Sequence, residues 1–330
     1  MKKFAMLFLA VCLTLAGCSE KKEQSSEKTT KLKKVTVVLD WTANTNHTGL
    51  FVAKEKGYFK KQGLNVDIIA PGQTGADQLI ASGKADFGVS YQESITQARA
   101  QGVPIVSIAA IIQHNTSGFA SPAAKNIKSP KDFEGKTYGG WGSPVEKAIL
   151  QSLMSKQNAN VEKLNIVNMG EADFFTAVKK DIDFAWIYQG WTGIEAELRG
   201  EKLNMVYLTD YSKKLDYYTP VLATNENMIN KNPKIVKAFV KAVSEGYNFS
   251  IKNPKEAADI LIKDNPDLNK ALVQKSQEWL ASKYQDDANR WGEQKLSVWK
   301  NYADFLSENK LLEGKFDPKA AFTNEFLPEK

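Results

Sequence analysis

Apolar positions along the chain follow two alternating rhythms. Residues 35–39, 64–69, 86–89 and 105–112 are short runs of strand length, the first β-branched and the last apolar enough for burial on both faces. Between them, 49–56, 76–82 and 94–101 place apolar residues at helical spacing. Gly57 stops the first of these and a turn over 71–75 precedes the second. The same order restarts where Ser129 can cap a turn opened by Pro130. Strands are predicted at 136–138, 165–168 and 184–188, with helices at 144–157 and 171–179. Strands separated by helices at this spacing predict an α/β fold of two similar lobes, each on a largely parallel sheet. From Asn232-Pro233 onward the rhythm is helical only, with a second start at Asn253-Pro254 and further helices through Trp279 and over 296–306. These helices are expected to pack on the first lobe.

The beginning of the chain follows neither rhythm. Lys2 and Lys3 precede an almost unbroken apolar run over 4–15, shorter than the ~20 residues a membrane-spanning helix needs, so it reads as a signal peptide. It ends Leu15-Ala16-Gly17-Cys18, which resembles a bacterial lipobox and predicts a lipidated Cys18. Cleavage there removes 17 of 330 residues, leaves 313, and takes the formal charge from +6 to +4 as Lys2 and Lys3 are lost. Cys12 goes with the leader, so no free thiol is expected afterwards. Residues 18–34 are rich in Lys, Glu, Ser and Thr and read as a tether. The expected location is the outer face of the cell membrane, held by acyl chains.

Composition narrows the chemistry. Two histidines and two cysteines leave no usual zinc site, and no H-E-x-x-H, C-x-x-C or G-x-S-x-G motif occurs. Gly135-Lys136-Thr137 ends like a phosphate-binding loop, but Pro130 stands where that loop needs Gly. No nucleic-acid patch is evident, and a lipid-anchored adhesin would not need a crevice lined by aromatics. Ligands of open α/β sheets bind at the carboxyl ends of the strands, and two facing lobes can close over one. At those ends lie Trp41, Asn44 and His47 after the first strand, and Tyr91 after the third. Ser117 and Gly118 are placed at the end of the fourth strand, as hydrogen-bonding groups or as a hinge. The second half offers Trp141 before a helix whose free N–H groups could hold a polar ligand edge. It also offers Tyr188, Trp191 and Glu195, spaced to share one helical face. Trp186, Trp279, Trp291 and Trp299 are assigned to core or lobe surface.

The run Leu39-Asp40-Trp41-Thr42-Ala43-Asn44-Thr45-Asn46-His47-Thr48-Gly49, followed by Gly57-Tyr58-Phe59, resembles the opening of the thiamine-pyrimidine-precursor binding proteins. The pieces over 83–89 and 130–136 are shared with nitrate, sulfonate and taurine binders and mark the wider superfamily only. The resemblance implies a two-lobed fold of the type II periplasmic-binding-protein kind, with the ligand in the cleft. Lobe I would comprise 35–118 plus 220–330, and lobe II 119–219, with a return crossing at Tyr217-Tyr218-Thr219-Pro220. It implies a small neutral aromatic ligand, formylaminopyrimidine, handed to an ABC permease with a cytoplasmic ATPase, and no cofactor. Aromatic faces suit such a ligand, and Glu195 is the carboxylate chosen for its amino group. A pyridoxal-phosphate-dependent pyrimidine synthase shares the Leu39-to-His47 opening, but no cysteine follows Cys18 to supply the cysteine-rich motif of that group.

Overall fold

A computed structural model describes residues 31–170 and 172–329. The leader over 1–17, Cys18 and most of the tether lie outside the described residues. Among the described residues there are ten strands: β1 Lys33–Val38, β2 Leu64–Ile69, β3 Phe87–Ser90, β4 Ile105–Ala110, β5 Ser117–Pro122, β6 Thr137–Gly140, β7 Asn165–Asn168, β8 Phe184–Tyr188, β9 Leu203–Tyr207 and β10 Val221–Asn225. They form two five-stranded sheets, ordered β2-β1-β3-β10-β4 and β7-β6-β8-β5-β9. Each sheet carries one antiparallel strand, β10 between β3 and β4 and β5 between β8 and β9. Those two strands enter from the other sheet's side of the chain, so each lobe borrows its fourth position from a crossing.

The sequence pattern misses both crossing strands and β9. Residues 105–112 and 116–118 read as one strand and its end, whereas Ser117 and Gly118 open β5 in the other sheet. The burial explains the omission: β10 is covered at every position, so it has no alternating face to betray a strand. The helix expected over 171–179 contracts to Phe174–Ala177, and Glu171 lies outside the described residues.

One core joins Val35, Val37 and Phe87 of the first sheet to Leu50, Phe239, Leu261 and Trp291. Phe87 and Phe239 stack at 3.9 Å and 4°. The helix Thr48–Glu55 crosses Pro233–Lys252 at glycines: a Cβ on Gly246 would stand 2.0 Å from the Gly49 carbonyl oxygen. Only a residue without a side chain permits that approach. The second core gathers Phe119, Phe133, Tyr138 and Phe184, with Phe133 stacked on Phe184 at 4.3 Å.

The C-terminal helices do not all belong to the first lobe. Leu296–Glu308 sends Trp299 into the first-sheet side with Tyr218 and Val221, and Tyr302, Phe305 and Leu306 into the second core. The two crossings are tied to each other beside it. Asp216 accepts from the Asn115 N–H at 3.0 Å and faces His114 Nδ1 at 2.8 Å, while His114 Nε2 lies 3.2 Å from Asp287. Hydrogen bonding to Asp216 raises the His114 pKa to about 9, against the opposing effect of its partial burial. Among the described residues no helix is long and apolar enough to cross a membrane.

Candidate functional site

A cavity of about 870 Å³ opens between the carboxyl ends of β1 and β3 and those of β6 and β8. Both sheets line it, as the rule for open parallel sheets requires.

The loop after β1 is held by a small polar circuit. Asn44 caps the turn Thr45–His47, its side chain accepting from the Asn46 N–H at 2.9 Å. The Asn44 N–H donates to His47 Nδ1 at 3.1 Å, which leaves Nε2–H to donate to Asp40 at 2.6 Å. The second Asp40 oxygen accepts from the Tyr91 hydroxyl. Burial alone would raise the Asp40 pKa, but the hydrogen bonds from His47 and the Tyr91 hydroxyl together hold it below the usual carboxylate value. Burial and the neighbouring Asp40 push the Tyr91 phenol upward, so Tyr91 remains a neutral donor and shows the cavity its ring. His47 is fully buried and does not reach the cavity; it orients Asp40 and is not a lining residue.

Distant helices pin the same loop. Tyr247 donates to the Asn46 carbonyl and Tyr284 to the Thr45 carbonyl, each at 2.6 Å. Ser276 meets the Thr45 hydroxyl at 2.6 Å and donates to the Gly190 carbonyl of the second lobe. None of these anchors carries a local sequence signal.

The second lobe builds its matching loop with a carboxylate. Glu146, in the first turn of Pro144–Ser155, accepts from the Tyr138 hydroxyl at 2.6 Å, from the Ser143 N–H at 2.8 Å and from the Trp141 N–H at 3.2 Å. The helix N–H groups expected to hold a ligand edge are taken by Ser143, the Val145 N–H donating to its hydroxyl at 3.3 Å and the Glu146 N–H to its carbonyl at 3.1 Å. Trp141 lines the cavity, half exposed, with Trp186 5.3 Å away at a 32° tilt. Trp186, read from sequence as core or surface, is a wall of the cavity.

Of the ten residues expected around a ligand, Trp41, Asn44, Tyr91, Trp141, Tyr188, Trp191 and Glu195 line this cavity. Ser117 and Gly118 do not: Ser117 bonds Asn115 at 2.6 Å, and Gly118 is hemmed by the Val206 carbonyl across β9. Glu195 is drawn to Arg199 one helical turn on, at 3.0 Å. Trp191 also packs against the first-lobe core. A different acid stands deeper. Glu93, in the first turn of Gln92–Ala100, lines the cavity with an Oε2 that has no hydrogen-bond partner. Its burial raises its pKa to about 7. Trp186 Nε1, the Tyr217 hydroxyl and the Thr219 hydroxyl line the same cavity and are also unpartnered. Buried polar groups are ordinarily satisfied, so this cluster marks where an outside group would bond. No Lys is among the lining residues to form a Schiff base, and no cationic side chain to hold a phosphate, so the cavity does not fit pyridoxal phosphate.

The profile of the family described as NMT1/THI5 like matches residues 44–257. Formylaminopyrimidine-binding protein of Halalkalibacterium halodurans is 28% identical over 98% of this chain and 99% of its own. A 4-amino-5-hydroxymethyl-2-methylpyrimidine phosphate synthase of Legionella pneumophila is 24% identical over 90% of this chain and 93% of its own. Among solved structures, the periplasmic aliphatic sulphonate binding protein SsuA of Escherichia coli superposes with a TM-score of 0.69 at 14% identity, covering 90% of this chain and 94% of that one. At that identity the likeness speaks to fold alone, and the fold is the two-lobed α/β arrangement of periplasmic binding proteins.

Proposed function

Because this chain belongs to the NMT1/THI5-like family, we propose that it is an extracytoplasmic solute-binding protein. Its ligand is a thiamine pyrimidine precursor, most specifically a formylaminopyrimidine. Cys18 anchors the protein by lipid to the outer face of the cell membrane, and an ABC permease with its cytoplasmic ATPase receives the ligand. The protein is a binder and performs no chemistry on what it holds.

The observation that carries this reading is the pairing of aromatic walls with one unpartnered acid. Trp41 and Tyr91 of one lobe and Trp141, Trp186 and Tyr188 of the other all line the cavity, and each ring stacked on a flat heterocycle adds about 0.5–1.5 kcal/mol beyond area burial. Glu93, poised near neutrality, can accept from an exocyclic amino group and, when protonated, donate to the adjacent ring nitrogen. That places the polar contact on Glu93 in preference to Glu195, whose carboxylate Arg199 already engages.

Tryptophan fluorescence titrated with formylaminopyrimidine, hydroxymethylpyrimidine, nitrate and taurine tests it. Saturation by the pyrimidines, and an affinity at least tenfold weaker in Glu93→Gln, is the expected result. A response to the anions alone would overturn the assignment in favour of a nitrate- or sulfonate-type binder. Turnover of pyridoxal phosphate with histidine would overturn it in favour of a synthase.

A further inference from the structure

Among the described residues the charged lining of the cavity is of one sign. Asp40, Glu93, Glu146, Asp173 and Glu195 contribute carboxyl groups, and no Lys, Arg or His side chain is among the lining residues. The geometry shows how these acids are held. Asp40 receives donors at both oxygens, from His47 and Tyr91. Glu146 likewise receives N–H or O–H donors at both oxygens, from Tyr138, Trp141 and Ser143, the pattern of an ionised carboxylate. Asp173 caps its own helix, accepting from the Thr176 N–H at 2.9 Å.

The positive features near the cavity are weak or already compensated. His47 is spent on Asp40 and Arg199 on Glu195. The N-terminus of Pro144–Ser155 would attract an anion through its free N–H groups, but the Glu146 carboxylate occupies it. An entering phosphate or sulfonate would meet that fixed charge instead of a donor cradle, in a partly enclosed space where water screens charges less. Besides Glu93 Oε2, the groups left without partners are the hydroxyls of Tyr217 and Thr219, residues 0% and 1% exposed, and the Trp186 indole N–H. They can bond the polar edge of a neutral ligand and bring no positive charge to a dianion.

We propose that this cavity selects by charge, accepting aminopyrimidines that are neutral or positively charged and rejecting their phosphate monoesters, with Glu146 as a specificity-determining residue. The proposal rests on the pyrimidine reading above and sharpens it, because size does not make this distinction. About 870 Å³ exceeds what one substituted pyrimidine ring fills, so a phosphate has room and is refused by charge. The same spare volume admits a pyrimidine extended by a cationic ring.

Calorimetric titration with three probes sharing one aminopyrimidine ring tests this: hydroxymethylpyrimidine, its phosphate monoester, and thiamine with its permanent thiazolium charge. The expected result is measurable binding of hydroxymethylpyrimidine and of thiamine, with the phosphate ester at least a hundredfold weaker than the alcohol. In Glu146→Gln, which keeps the side-chain shape and part of the bonding, that ratio should fall at least tenfold. Circular dichroism and a thermal melt of the variant keep loss of folding apart from loss of selection. Equal affinity for alcohol and phosphate in the native protein would overturn the charge selection while leaving the pyrimidine reading intact. A ratio unchanged in a folded Glu146→Gln protein would remove Glu146 from the role. Failure of every pyrimidine to bind would overturn the underlying reading itself.

Discussion

The two sheets repeat one strand order and put the same side chains at matching places, yet they build charge differently. After the first strand of each lobe comes an indole, Trp41 or Trp141, 51% and 50% exposed. At the end of the third strand comes a phenol, Tyr91 or Tyr188. In both lobes the loop between them closes with a reciprocal cap: Asn44 with His47 in one, Ser143 with Glu146 in the other. In the second lobe the reaching residue is itself the anion. In the first it is an imidazole, which then requires Asp40 as partner and draws in the Tyr91 hydroxyl. A symmetric scaffold thus carries one carboxylate held mainly by neutral donors and one held by a histidine, and the second arrangement depends on more of the fold.

The largest effect should come from breaking the first-lobe circuit. Asp40→Ala leaves two donors, the buried His47 Nε2–H and the Tyr91 hydroxyl, without their acceptor, each loss costing about 1–3 kcal/mol. Urea unfolding of Asp40→Ala beside Glu146→Ala measures it. Glu146→Ala should cost about 2 kcal/mol, since neutral donors can find water. Equal losses would show that the two circuits are energetically the same.

Next comes the aromatic pair. Trp41→Ala and Trp141→Ala should each weaken pyrimidine binding about tenfold, or ~1.4 kcal/mol, with unfolding midpoints close to the native value because both rings are half exposed. A loss confined to one of them would break the symmetry and leave the other as a rim residue.

The smallest effect concerns the crossings that join the lobes. His114 has its pKa raised from 6.5 to about 9 by Asp216. A raised pKa means that the stabilisation is fully present below pH 6.5 and is lost as pH rises through about 9. The difference in melting temperature between native protein and His114→Gln should therefore shrink across that window. A constant difference would show that the charge of His114 does not hold the crossings together.

Local pattern determined much of this protein. β1 to β4 and β6 to β8 were legible because their apolar runs are short and bounded by Gly, Pro and capping residues. The strand-end aromatics follow from that register, and seven of the ten expected site residues line the cavity. The family opening over 39–47 is equally a property of sequence alone. Only the tertiary structure decided what contacts distant along the chain decide. It turned His47 inward onto Asp40, closed Ser117 and Gly118 into a sheet, and turned Trp186 toward the cavity. It also buried one oxygen of Glu93 without a hydrogen-bond partner. The helices carrying Tyr247, Ser276 and Tyr284 hold the Asn44–His47 turn from more than two hundred residues away. No local period encodes such a bond. The period specifies which face of an element is apolar, whereas the packing of whole elements sets which polar group is left without a partner.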